Sequence, residues 1–85
     1  MTEVAVVTGG TRGIGLEVAK RLAQSGRRTV VLARTVPPDL DHRLDGVVCD
    51  LADARAVDEA FLAVGPVDIL VNNAGVSSSN PVART

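Results

Sequence analysis

Residues 3–15, EVAVVTGGTRGIG, decide how this chain must be read. Glu3 to Thr8 is a short, valine-rich apolar run without alternation, the pattern of a strand covered on both faces. It breaks at Gly9-Gly10, and a helical pattern follows at once. Ile14, Val18, Ala19, Leu22 and Ala23 share one face of that helix, while Glu17, Lys20, Arg21 and Gln24 share the other. A glycine-rich turn between a strand and a helix leaves backbone N–H groups unpaired at the positive end of the helix dipole. That place favours a pyrophosphate. The spacing over Thr8–Gly15 is T-G-x-x-x-G-x-G, which is neither G-x-G-x-x-G nor a loop ending in Gly-Lys-Ser/Thr. Its glycines permit a tight turn, a close approach of phosphate and close helix-to-strand packing.

Outward from this loop the same alternation continues. Ser25-Gly26 closes the first helix, with Gly26 as its left-handed C-terminal residue. Thr29 to Ala33 is a second buried strand. From Arg34 to Asp45 the pattern lapses, and Pro37-Pro38 leave room for one or two helical turns at most before Leu44. Gly46 to Cys49 is expected as a third strand. Asp53 can cap a helix running to about Val64, with Val57, Ala60, Phe61 and Val64 inward. After Gly65-Pro66 comes a fourth strand, Val67 to Val71. Strands alternating with helical segments point to an α/β domain on a parallel sheet. Residues 1–75 are expected to form that domain and 76–85 a polar tail.

Composition narrows the function classes. Hydrophobic residues make up 46% of the chain and charged ones 22%, as in ordinary globular proteins. Nine basic residues against ten acidic ones give no field to attract nucleic acid or an anionic membrane. Phe61 is the sole aromatic, so no platform exists for stacking bases. No apolar stretch approaches the ~20 residues of a spanning helix, and no signal peptide is apparent. The expectation is a cytoplasmic protein. Cys49, the one cysteine, reads as an inert core thiol, and His42 as a solvated histidine without ligand companions.

Residues 4–15 (VAVVTGGTRGIG), Asp50-Leu51 and residues 68–75 (DILVNNAG) resemble, in order and in place, three motifs of the short-chain dehydrogenase/reductase family. Members like the beta-ketoacyl-carrier-protein reductases are nearest in character. The resemblance implies the N-terminal half of a doubly wound Rossmann fold, with about four parallel strands in the order 3-2-1-4. It implies that Gly9, Gly13 and Gly15 shape the phosphate turn, and that backbone at Gly10, Thr11 and Ile14 lies beside a dinucleotide. Asp50 would accept from the adenine amino group, with the Leu51 N–H facing the ring. Asn72, Asn73, Ala74 and Gly75 would line the ribose and nicotinamide end. For Asn72 and Asn73 a structural tie between central strands stands as an equal alternative.

The second strand ends in Ala33-Arg34-Thr35, where an NAD-preferring fold carries Asp or Glu for the ribose 2′-hydroxyl. A guanidinium there can grip a 2′-phosphate with two parallel hydrogen bonds. Arg12, inside the glycine loop, can reach the same phosphate from the other side. Together Arg12 and Arg34 select NADP(H). The family's chemistry, as the resemblance implies it, needs a tyrosine acid/base with a lysine one helical turn later, plus a serine and an asparagine. These residues include no tyrosine, and Lys20, the only lysine, falls on the solvent face of the first helix. No catalytic residue is therefore expected within the 85, nor carbonyl reduction by them alone. Two functions remain open. One is the NADP(H)-binding portion of a reductase, worked with a C-terminal complement. The other is a truncated, non-catalytic remnant that binds or assembles through its fourth strand, homo-oligomers included.

Overall fold

The computed structural model describes residues 2–73. Four strands and two helices alternate: β1 (Val4–Thr8), α1 (Gly13–Gln24), β2 (Arg28–Ala33), β3 (Leu44–Val48), α2 (Ala54–Val64) and β4 (Ile69–Asn72). All strand pairs are parallel and the order is β3-β2-β1-β4, as expected. Val6 of β1 lies beside Val30 of β2 and Leu70 of β4.

Adjacent residues of the central strands serve opposite faces, as the pleat requires. Val6, Val30 and Leu32 pack with Cys49, Ala60 and Val64, the side covered by α2. Val7 and Val31 pack with Ala19 and Leu44, the side covered by α1. Valine and leucine thus seal both faces, which explains the apolar runs without alternation. Val57 and Phe61 pack against the α2 side, completing the face read for that helix. Cys49 is buried and free.

The helix ends differ in how they are closed. At the C-terminus of α1, Gly26 takes φ 93°. Its N–H donates to the Ala23 carbonyl at 3.0 Å and the Arg27 N–H to the Leu22 carbonyl at 3.3 Å, a Schellman closure. At the N-terminus of α2, Asp53 accepts from the N–H groups of Arg55 and Ala56 at 3.0 and 3.4 Å. The N-terminus of α1 has no side-chain cap and no acidic residue in its first turn.

Three expectations need correction. The inward face of α1 is turned from the one read: Leu16, Ala19, Leu22 and Ala23 meet the sheet, whereas Ile14 is 78% exposed and Val18 stays outside the core cluster. The cause is Gly15, which is buried where a β-carbon would lie 2.6 Å from the Gly9 carbonyl oxygen. The helix rests on that bare backbone and turns Ile14 aside. Second, no helical turn forms between Pro38 and Leu44, only hydrogen-bonded turns. Asp41 organises the last of them, accepting from the Arg43 backbone N–H at 2.9 Å and from its guanidinium at 2.9 and 3.1 Å. That guanidinium holds the Asp41 carboxyl well below the usual carboxylate range. Third, β3 begins at Leu44, earlier than the apolar pattern suggests. Gly46 lies within it, with no room for a β-carbon because Val36 and Leu40 lie over the strand. The connection between β2 and β3 therefore packs onto the sheet without a helix.

Candidate functional site

The direction of chain travel reverses between β1 and β4: β1 steps to β2 on one side, while β3 steps across to β4 on the other. Crossovers of one hand then place the two helices on opposite faces and leave a crevice beyond the strand ends at that reversal. A cleft of about 1300 Å³ lies there. The end of every strand contributes to it: Gly9, Thr11, Arg12 and Ile14 after β1, Ala33 to Thr35 after β2, Asp50 to Ala52 after β3, and Asn73 after β4.

The glycines divide by task. Gly9 and Gly13 have φ of 69° and 63°, left-handed values that other residues rarely take. A β-carbon at Gly13 would meet nothing within 4 Å, so this glycine serves backbone shape beside open space. Gly10 and Gly15 are needed for packing. A β-carbon on Gly10 would come within 2.7 Å of Val31 Cγ1.

The backbone N–H groups of Gly13, Ile14 and Gly15 find no acceptor among the described residues. Such groups, with the helix dipole behind them, suit an anion. Charge on the side chains agrees. Arg27, Arg28 and Arg43 are each paired with a carboxylate, Glu3, Asp45 and Asp41 respectively. Arg12 and Arg34 line the cleft, are exposed, and have no partner among the described residues.

The structure places the remaining expected residues as follows. Thr35, Asp50 and Leu51 line the cleft. One oxygen of Asp50 accepts from the Ala52 N–H at 3.0 Å, and the other has no partner among the described residues. Asn73 lines the cleft and also donates through Nδ2 to the Gly9 carbonyl at 3.2 Å. Its backbone N–H donates to Thr8 Oγ1 at 3.0 Å, and that hydroxyl lies 3.0 Å from its acceptor, Asn72 Oδ1. Asn72 thus takes the structural tie and stands outside the cleft lining, while Asn73 serves both places. Gly10 lies beneath the loop and Gly15 against it, outside the lining. Ala74 and Gly75 lie outside the described residues. Pro37, Asp39 and Ala52 line the cleft although no sequence pattern puts them there. Only the packing of the β2–β3 connection onto the sheet brings the first two within reach.

His42 is almost fully exposed, and no group of metal-ligating side chains occurs among the described residues. No helix among them is long and apolar enough to cross a membrane.

A doubly wound half-sheet with an uncapped glycine turn at its crevice is a dinucleotide-fold arrangement, and comparison with known proteins agrees. The short chain dehydrogenase family model matches residues 3–85, and the chain belongs to that family. It is 49% identical over 77 residues to the 3-oxoacyl-acyl-carrier-protein reductase MabA of Mycobacterium tuberculosis, an overlap of 86% of this chain and 30% of MabA. To carbonyl reductase (NADPH) 2 of Sus scrofa it is 43% identical over 86 residues, covering 95% of this chain and 35% of the relative. A crystal structure of an actinorhodin polyketide ketoreductase with NADPH superposes with a TM-score of 0.69 at 43% identity, over 85% of this chain and 33% of that one. The chain spans about a third of the length of the relatives it matches.

Proposed function

We propose that residues 1–75 are the NADP(H)-binding portion of a cytoplasmic short-chain dehydrogenase/reductase, whose reaction is hydride transfer between NADPH and a carbonyl or alcohol substrate. One observation carries the reading. The uncapped N-terminus of α1 converges on one cleft with Arg12 and Arg34, the two arginines there that no described carboxylate holds. The residues fit the cofactor: the N–H groups at Gly13, Ile14 and Gly15 suit the pyrophosphate, and the arginines suit a 2′-phosphate. Asp50 and the Leu51 N–H would meet adenine, with Asn73, and Ala74 and Gly75 after it in the chain, assigned to the nicotinamide end. Bound nicotinamide supplies the hydride. These residues bind and orient the dinucleotide, and contribute no tyrosine to proton transfer. The NADPH named with the two relatives supports the choice of cofactor.

NADPH should bind tighter than NADH, and Arg34→Asp should remove most of the difference, about 1–3 kcal/mol for one charge-assisted hydrogen bond. Calorimetric titration at low salt reads it best, since exposed charges are screened. Equal affinities in the unsubstituted chain would sink the NADP assignment.

The free edge of β4 favours a second element of the same reading. Among the described residues β4 pairs only with β1, and Ile69, Leu70 and Val71 remain half-buried. The open edge is read as pairing with a further strand, from a C-terminal complement or from a second copy acting as an assembly module. Size-exclusion chromatography should show self-association, or mixing with the C-terminal half of a related reductase should raise the melting temperature. A strictly monomeric chain with an unmoved melt would refute it.

A further inference from the structure

Asp39 lines the same cleft as Arg34 and Thr35. It is exposed and has no hydrogen-bond or ion-pair partner among the described residues. Asp41, two residues on, is held by Arg43 within its own turn. Asp39 has no such occupation. Its backbone is nonetheless fixed, because the Leu40 N–H donates to the Pro37 carbonyl at 3.2 Å and Val36 and Leu40 rest over Gly46. An adjoining cavity of about 360 Å³ shares Thr11, Pro37 and Asp39 and adds Lys20 and Asp41. Lys20 lies 4.0 Å from Glu17 and makes no ion pair with Asp39.

We propose that Asp39 is a specificity-determining residue that opposes the 2′-phosphate, holding the preference for NADP(H) below what Arg12 and Arg34 alone would give. The inference rests on the NADP(H) reading above. Among the described lining residues, two arginines stand against two aspartates, Asp39 and Asp50. Asp50 follows β3, whereas Asp39 shares the β2–β3 connection with Arg34. Asp39 is thus the lining carboxylate closest to Arg34 in sequence, and a phosphate dianion bound by Arg34 would share one cleft with it. A ribose hydroxyl in the same corner meets no such repulsion. The cleft would consequently discriminate between the two dinucleotides by a difference of opposed charges.

The test uses the full chain and two adenosine probes, adenosine 2′,5′-bisphosphate and adenosine 5′-monophosphate, by calorimetric titration. Asp39→Asn keeps the side chain's shape and should raise affinity for the bisphosphate about three- to tenfold at low salt, leaving the monophosphate nearly unchanged. The gain should shrink as salt is added, and Asp39→Lys should exceed it. A bisphosphate-to-monophosphate ratio unmoved by both substitutions would overturn this inference alone. So would a selective loss of monophosphate affinity, which would make Asp39 an acceptor for ribose hydroxyls. Binding of neither probe by any form would overturn the parent reading and this one together.

Discussion

Gly15→Val should destabilise the chain by about 3 kcal/mol or more, the upper end of what overpacking costs. A β-carbon at this buried position would lie 2.6 Å from the Gly9 carbonyl oxygen, 2.6 Å from Asn73 Nδ2 and 3.2 Å from Gly10 Cα. Two of those atoms are backbone and cannot rotate away. The helix would have to lift from the sheet, taking Leu16 and Ala19 out of their cluster. Valine adds two methyl groups to the clash. Urea unfolding followed by circular dichroism should show a much lower midpoint or no transition at all. A midpoint like that of the unsubstituted chain would mean the helix does not rest on Gly15.

Gly13→Val should act on the ligand more than on the fold. Its φ of 63° is left-handed, and a branched side chain there costs about 1–3 kcal/mol of strain. No protein atom within 4 Å opposes the new β-carbon, so the chain should still fold. Gly13 is not itself among the cleft-lining residues, so the expected effect comes from distorting the turn that presents the N–H groups proposed for the pyrophosphate. Affinity for NADPH should fall on the order of a hundredfold, equivalent to about 3 kcal/mol. Titration beside a thermal melt separates the two effects. A folded Gly13→Val chain binding with undiminished affinity would make the loop purely structural. The pair of substitutions divides one glycine turn into a residue needed for packing and one needed for shape.

Much of this architecture is legible in the residues. Valine-rich runs bounded by glycine mark the strands, and the order of strands and helices leaves few topologies open. The cleft's main contributors, from the Gly9 turn through Arg34 to Asp50, follow because each stands at the end of a strand. What escapes depends on contacts distant in sequence. A helical wheel cannot tell that Gly15 is the contact point, so it places Ile14 inward by hydropathy alone. The start of β3 at Leu44 is hidden because Asp45 and Gly46 break the apolar run, although both pair with β2. Nothing in a proline-rich connection marks Asp39. Its place at the cleft follows from Val36 and Leu40 folding over a glycine that offers them room.

Thr8 and Asn73 have a consequence for how the glycine turn behaves before any ligand arrives. The hydroxyl of Thr8 receives the Asn73 N–H, and Asn73 Nδ2 holds the Gly9 carbonyl, so the turn is bolted to the end of the neighbouring strand β4 at the edge of the cleft that both Gly9 and Asn73 line. Turn and strand end form one mechanical unit. A loop so restrained has already surrendered its conformational freedom on folding, and binding need not extract it again. The Gly9 amide hydrogen, bonded to the Leu32 carbonyl at 2.7 Å, should accordingly exchange as slowly as those of the central sheet. The unliganded turn should rest in its receiving shape.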